Sequence, residues 1–497
     1  MKGIYMRFKV GNPTRSIGEY FCLTPNTGWN DFSFVTTFYL HFCTATTISE
    51  IGEVKIGFKK QEIGQRTVKY LPAEFDCLPD DFFSLGQSPE YYQSLDALSN
   101  NVKVNVLSSL RDIVYDENIF EESISETVLI DSLTRYVSVS TIKGQFKDII
   151  STGVALTKFG FTLNLDKGSK IDFSVVPNSK PPSNIHVVIG RNGVGKSHLL
   201  RTIVNHIDKA DGIVTKPNGD DIHAYDFGQL LYFSLSVFDK PFEHVEFNDS
   251  KTRRDRTKKK YIGLYNTETQ KPKDIDEDLA KEFAESLNGC LLGSEVRKHS
   301  WLKVMEHLQL DVNFRELSLS ELADLENEHT LIKQATALFK TLSSGHAAVL
   351  YYLTHVVELV ENKTICLFDE PENYLHPPLL SAFIRTLSTL LTDNNGMAIM
   401  ATHSPVVLQE IPRLCTWKLH HISAGNINVS RPNIETFGES VGEITAEVFS
   451  LDLRKTGFYA LLEKDSLDSG SVDKVLSMYE NQVGLEGRAV IYATIKG

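Results

Sequence analysis

The chain has 497 residues, of which 41% are hydrophobic and 23% charged, and a formal net charge of -13. That length accommodates roughly two to four domains, and the acidic balance excludes a surface that coats nucleic acid everywhere while leaving room for a local basic patch. Six scattered cysteines without a C-x-x-C pair suit reduced thiols in a cytoplasm better than a disulfide framework or a zinc site. The first residues lack a signal-like apolar stretch, and no apolar run approaches the roughly 18 residues of a membrane span, so the expectation is a cytoplasmic protein with no membrane partner.

Residues 1 to about 75 are rich in β-branched and aromatic residues and read as antiparallel strands, among them Phe34–Phe42, Val54–Phe58 and Thr67–Leu71. From Ser88 to Val114 the pattern is helical, and Val137–Thr141 reads as a strand within a mixed stretch. Phe159–Leu165 and Ile171–Val176 flank Asp166-Lys-Gly168, a hairpin signal. Ile185–Ile189 is a short apolar run, followed at once by Gly190-Arg-Asn-Gly-Val-Gly-Lys-Ser197 and then a helical pattern. Strand, glycine loop and helix stand in the order a phosphate-binding loop requires. There Gly190, Asn192, Gly193 and Gly195 shape the loop, the helix start at Lys196, Ser197 and His198 adds its positive end, Lys196 reaches the β- and γ-phosphates, and Ser197 offers a hydroxyl to Mg²⁺.

Leu230–Phe238 reads as a buried strand. Residues 240–340 are more charged, helical in pattern, and carry one basic run, Lys251–Lys260, with seven basic residues in ten. An acidic stretch at 274–278 can neutralise it as a solvated loop; the other reading is contact with a phosphate backbone or charged partner. No aromatic residue interrupts the run, so base stacking is not indicated. Leu342-Ser-Ser-Gly-His346 opens the next helix, where Ser343 and Gly345 are either a plain cap or N–H donors to a γ-phosphate. Thr364–Phe368 is an apolar strand ending in Asp369 and Glu370; these are read as a Mg²⁺ ligand and the group that polarises the attacking water. A further strand, Met397–Thr402, ends at His403, placed to meet a γ-phosphate. The tail beyond 410 alternates short strands and helices. Glu463, Asp465 and Asp468 lie there in a polar stretch without the apolar strand an Asp-x-Asp nuclease site needs, and they read as a solvated helix-end cluster.

In this order the motifs resemble those of ABC-type ATPases: a Walker A loop at 190–197, a signature at 342–346, a Walker B strand at 365–370 and a switch histidine at 403. The resemblance implies an α/β fold, an ABC-type P-loop ATPase with a mixed, largely parallel sheet, an N-terminal β-rich portion and an inserted helical subdomain. Expected boundaries are 1–150 for the β-rich region, 151–240 and 341–410 for the ATPase lobe, 241–340 for the helical insert and 411–497 for an α/β tail. It also implies ATP and Mg²⁺ as cofactors, Glu370, His403 and Lys196 as catalytic residues, and a signature that completes the site of a second protomer. The signature departs from Leu-Ser-Gly-Gly-Gln, and no glutamine follows the 230–238 strand; Ser236 or Asp239 stands in that place.

Asp369-Glu-Pro-Glu-Asn-Tyr-Leu-His-Pro is similar to the RecF, SMC and OLD branch, and the N-terminal region with Leu78–Gln87 is similar to the PtuA ATPases of Septu-type and retron-associated anti-phage systems. That resemblance implies a homo-dimer or higher homo-oligomer, an HNH endonuclease partner of the PtuB kind and nucleic acid contacted through the complex; with no Asp-x-Asp site after a strand and no H-N-H pattern in the sequence, no nuclease is expected in this chain. The alternatives are a RecF-like DNA repair ATPase, supported by the basic run, and a transporter ATPase subunit, which fits the β-rich N-terminal region poorly.

Overall fold

The motif-bearing segments converge because the strands that end in them are neighbours in one sheet. In a computed structural model the described residues are 7–26, 28, 34–153, 156–165, 168–223, 226–236, 247, 257–309, 312–317, 319–423, 426–453 and 457–496.

The N-terminal region forms a six-stranded sheet from β1 (Phe8–Val10), β2 (Tyr20–Pro25), β3 (Thr37–Cys43), β4 (Ile48–Phe58), β5 (Glu74–Phe75) and β6 (Phe82–Gly86), in the order β5-β1-β2-β3-β4-β6. Its pairs are antiparallel except β1 with β2, which run parallel. Helices Pro89–Asp96 and Asn100–Ser109 start at Ser88 and Ser99, whose hydroxyls accept the N–H groups of Tyr91 and Val102. They bury Tyr91, Tyr92, Val106 and Leu107 against Phe8, Phe21, Phe38 and Phe83 of the sheet.

Two strands expected here are not strands. Thr67–Lys69 is a 3₁₀ turn closed by Lys69 N–H on Arg66 O and Tyr70 N–H on Thr67 O. Val139–Thr141 is a short helix, because Ser138 accepts the N–H of Thr141 at 3.1 Å and so caps a helix start.

A small antiparallel sheet follows, made of β7 (Phe159–Asn164), β8 (Lys170–Val175) and β10 (Val214–Thr215), with β7 in the middle. It delivers the expected hairpin; Asp166 and Lys167 of its turn lie outside the described residues. The main sheet has seven strands: β9 (Ile185–Gly190), β11 (Gln229–Ser234), β12 (Lys258–Gly263), β13 (Ile365–Asp369), β14 (Met397–Thr402), β15 (Thr416–Ser423) and β16 (Asn426–Ser430). Their order is β12-β11-β13-β14-β9-β15-β16, and all neighbours are parallel except β15 with β16.

Both faces are covered around the central strands, so β13 and β14 are buried from end to end and β9 and β11 are mostly apolar. Ile185, Val187, Leu231, Phe233, Cys366, Phe368, Ala398 and Met400 meet one core, while Val188, Leu230, Ile365, Leu367, Ile399 and Ala401 meet the other. The second core holds Leu199, Leu200, Ile203 and Val204 of the helix Lys196–His206.

Lys258–Lys260, the end of the basic run, start edge strand β12 and so are not a solvated loop. Lysines on an edge strand discourage pairing with a further chain. Lys259 is buried on Asp208, Nζ to Oδ1 2.7 Å. Residues 251–256 lie outside the described residues, as does Asp239.

Helices Ala280–Leu291, Glu295–Leu308 and Glu328–Phe339 pack around the long helix Ser344–Leu359. Trp301 is fully buried there and its Nε1 donates to Thr354 Oγ1 at 3.2 Å. Arg297 of this group stacks 4.0 Å over the ring of Tyr136, tying the helices to the N-terminal region.

In the tail, Glu463, Asp465 and Asp468 lie on the C-terminal half of the helix Gly457–Ser469, as a helix-end cluster, and Asp465 accepts the hydroxyl of Tyr479 at 2.5 Å. The last three helices close a small core of Leu462, Val475, Leu476 and Ile491. Among the described residues no helix is long and apolar enough to cross a membrane.

Candidate nucleotide-binding site

The strand ends are level in register. Ser234 of β11 lies opposite Asp369 of β13, Asp369 opposite Ala401 of β14, and Thr402 opposite Ile189 of β9. The residues that follow therefore emerge along one edge of the sheet, the carboxyl-end crevice where α/β sheets bind ligands. After β9 the loop turns through Gly193 (φ 77°) and Gly195 (φ 100°), both left-handed, and passes directly into the helix that begins at Lys196. Such a turn aims successive N–H groups inward, and the helix adds its positive end. Asn192, Gly193 and His198 are exposed on this rim.

Lys196 is 4% exposed, and its Nζ donates to Gly190 O at 3.0 Å and Arg191 O at 3.2 Å. Burial pulls its ammonium below the ordinary lysine range, while Glu370, Asp369 and Glu372 act in the opposite direction. Ser197 Oγ donates to Asp369 Oδ1 at 3.0 Å, joining the loop to the strand 172 residues away. The other carboxylate oxygen, Oδ2, accepts from Tyr232 OH at 2.9 Å.

A hydroxyl and a carboxylate held together are hard oxygen donors, a set that fits Mg²⁺. Ser197 and Asp369 would hold the ion, which would neutralise charge on the β- and γ-phosphates.

Glu370 takes φ 49°, a left-handed conformation that costs a non-glycine residue about 1 kcal/mol. Its N–H is anchored on Ala401 O at 2.8 Å, and its Oε2 accepts from Asn373 Nδ2 at 3.4 Å. His403, the first residue beyond β14, brings Nδ1 to 3.7 Å from Glu370 Oε1 and 3.3 Å from Glu372 Oε1. Glu370 and His403 are thus brought together beside the Ser197–Asp369 pair.

Ser343 and Gly345 are placed elsewhere. Ser343 caps the helix Ser344–Leu359, meeting His346 Nδ1 at 2.5 Å and accepting the His346 N–H at 3.5 Å. Its side chain is exposed. Gly345 packs so tightly on the segment after Glu370 that a Cβ there would sit 2.6 Å from Tyr374 O. Tyr374 is itself left-handed, at φ 74°. In place of the missing glutamine, Ser236 follows β11 with its N–H on Ser234 Oγ at 3.4 Å.

Sequence reasoning missed Tyr232 and Glu372. Tyr232 was visible as the one hydroxyl-bearing aromatic in an otherwise apolar strand stretch, and Glu372 as the second glutamate of Asp-Glu-Pro-Glu.

A family model described as AAA ATPase domain matches residues 205–408, a span that contains Asp369, Glu370 and His403. A nucleotide-free ATP-binding cassette from an ABC transporter is similar at 18% identity, covering 59% of this chain and 96% of that one with a TM-score of 0.31. Protein ea59 of Escherichia phage lambda is 39% identical over 503 residues, covering 94% of this chain and 93% of that protein. With the glycine loop after β9 and the ends of β13 and β14 set along one edge of a mainly parallel sheet, the chain has a P-loop ATPase fold and belongs to the family of the phage lambda protein ea59.

Proposed function

We propose that this protein is a Mg²⁺-dependent ATPase that works as a head-to-tail dimer or higher homo-oligomer and governs a partner nuclease of the HNH kind in an anti-phage defence complex. The observation that carries the ATPase reading is the 3.0 Å contact of Ser197 with Asp369, with Glu370 and His403 at the ends of adjacent strands. Lys196 would neutralise phosphate charge, Ser197 and Asp369 hold the ion, and Glu370 orient the attacking water. Dimerisation is supported by Ser343, which is exposed and whose contacts run to its own helix and not to residues 190–197. A second copy that presents Ser343 and Gly345 to the γ-phosphate would complete the site.

The defence setting and the nuclease partner rest on the resemblance of the Asp-Glu-Pro-Glu run and the N-terminal region to Septu-type ATPases. The decisive experiment pairs Glu370→Gln with the wild-type chain. Hydrolysis should fall by at least about 100-fold, the scale of a lost general base, while ATP shifts the variant to a dimer in light scattering. A wild-type rate in Glu370→Gln refutes the catalytic assignment, and a monomer at saturating ATP refutes the head-to-tail site. Nuclease control is tested by reconstitution with an HNH nuclease encoded beside this chain; cleavage indifferent to ATP and to Glu370→Gln overturns that part.

A further inference from the structure

Glu372 is the second glutamate of Asp369-Glu-Pro-Glu, and its side chain is only 8% exposed. One oxygen, Oε1, gathers three groups from the end of β14. It accepts from Thr402 Oγ1 at 2.5 Å and from the His403 N–H at 2.9 Å, and it stands 3.3 Å from His403 Nδ1. Thr402 Oγ1 accepts in turn from the Ser404 N–H at 2.9 Å, so the whole turn after β14 hangs on this carboxylate. The other oxygen, Oε2, is buried without a hydrogen-bond partner among the described residues. A buried carboxylate oxygen left unpaired is unfavourable and calls for an explanation.

We propose that Glu372 is the positioning residue for His403 in ATP hydrolysis. The proposal rests on the reading of His403 as the residue that meets the γ-phosphate or the attacking water. Two carboxylates approach Nδ1, and distance and burial separate their roles. Glu370 is 3.7 Å away and 30% exposed, against 3.3 Å and 8% for Glu372. Only Glu372 also fixes the main chain of His403. A proton on Nδ1 would be drawn to Glu372 at 3.3 Å and leave Nε2 as the ring nitrogen for the nucleotide side, the same logic by which a buried carboxylate fixes the tautomer and ring angle of other functional histidines. Glu370 is then released from holding the imidazole and serves the water. His403 is 43% exposed and would otherwise sample several rotamers, so its productive geometry depends on this support.

Glu372→Gln and Glu372→Ala test this beside His403→Ala and the double variant Glu372→Gln/His403→Ala, with kcat, KM for ATP and thermal midpoint measured for each. The expected result for Glu372→Gln is a kcat lowered about 10- to 100-fold, the range seen when the carboxylate behind a functional histidine is removed, with KM within about twofold. Because Glu372 acts through His403, the double variant should be no slower than His403→Ala alone. Glu372→Gln at the wild-type rate while His403→Ala is impaired overturns the proposal alone. Losses that multiply in the double variant also overturn it, since Glu372 would then act independently of the ring. His403→Ala at full rate overturns the reading of His403 and the proposal with it. If Glu372→Ala fails to fold, the isosteric Gln variant carries the test.

Discussion

Tyr232→Phe removes one oxygen and leaves the ring, so it isolates what holds Asp369. The ring is fully buried on β11, with Tyr261 6.2 Å and Phe247 6.1 Å away between centroids, and phenylalanine keeps that packing. What is lost is the 2.9 Å bond from the hydroxyl to Asp369 Oδ2. A hydrogen bond to a charged acceptor contributes about 1.5–3 kcal/mol. At about 1.4 kcal/mol per tenfold, that energy felt entirely at the ion would raise half-saturating Mg²⁺ by about 10- to 150-fold. Ser197 still holds Oδ1 at 3.0 Å, which limits how far the carboxylate can turn, so the expectation is the lower end, about 10-fold. The thermal midpoint should fall by about 3–6 °C, taking about 2 °C per kcal/mol for a large unit. Mg²⁺ titration of ATPase activity and differential scanning fluorimetry read the two effects. Unchanged half-saturation together with an unchanged midpoint would refute the assignment of Tyr232 as the clamp on Asp369.

Gly345→Ala should lower stability by about 1–3 kcal/mol through overpacking, because its Cβ would lie 2.6 Å from the backbone oxygen of Tyr374; calorimetry that finds the wild-type midpoint contradicts the close approach. In the N-terminal region, burial raises the Asp112 carboxyl from 3.8 to about 6, against the opposing hydrogen bonds from Tyr115, Tyr92 and Val114. Its folded value exceeds its unfolded one, so between pH 3.8 and 6 the folded state binds more protons and this group's contribution falls as pH rises. A shift of about two units corresponds to roughly 3 kcal/mol. Asp112→Asn should remove that slope, seen as a wild-type minus variant stability that declines from pH 4 to pH 6.5; a flat difference rules it out.

The central sheet was legible because each of its strands near the site is a short apolar run ending in a chemically distinctive residue: Ile185–Ile189 before the glycine loop, Thr364–Phe368 before Asp369, Met397–Thr402 before His403. Burial on both faces gives such strands no polar alternation, and the residue type at the end supplies the missing signal. Where composition stood alone it failed. Thr67–Leu71 is β-branched and aromatic, yet the N–H groups of Lys69 and Tyr70 close on Arg66 and Thr67 within the same turn, so pairing stops at a single bridge of Arg66 with Val35. Val137–Thr141 failed for the opposite reason, since one hydroxyl, Ser138, outweighs two valines by capping a helix. β12 was hidden by its charge: three lysines look like solvent, but Lys259 is paired with Asp208 and the strand lies at the edge, where lysine is at home.

The site divides along the same line. Lys196 and Ser197 belong to a contiguous loop whose geometry follows from local glycines, whereas Tyr232 reaches Asp369 across 137 residues and Glu372 reaches Thr402 across 30. No local pattern encodes either contact; both follow from the register that sets β11, β13 and β14 side by side with their ends level. A one-residue slip of β14 against β13 would carry His403 away from Glu372 and turn each inward side chain of that strand to the opposite core. Apolar packing on the two faces of the sheet therefore fixes the chemistry at its edge: Met400 and Ala401, buried in opposite cores, hold the register that brings the next two residues to Glu372.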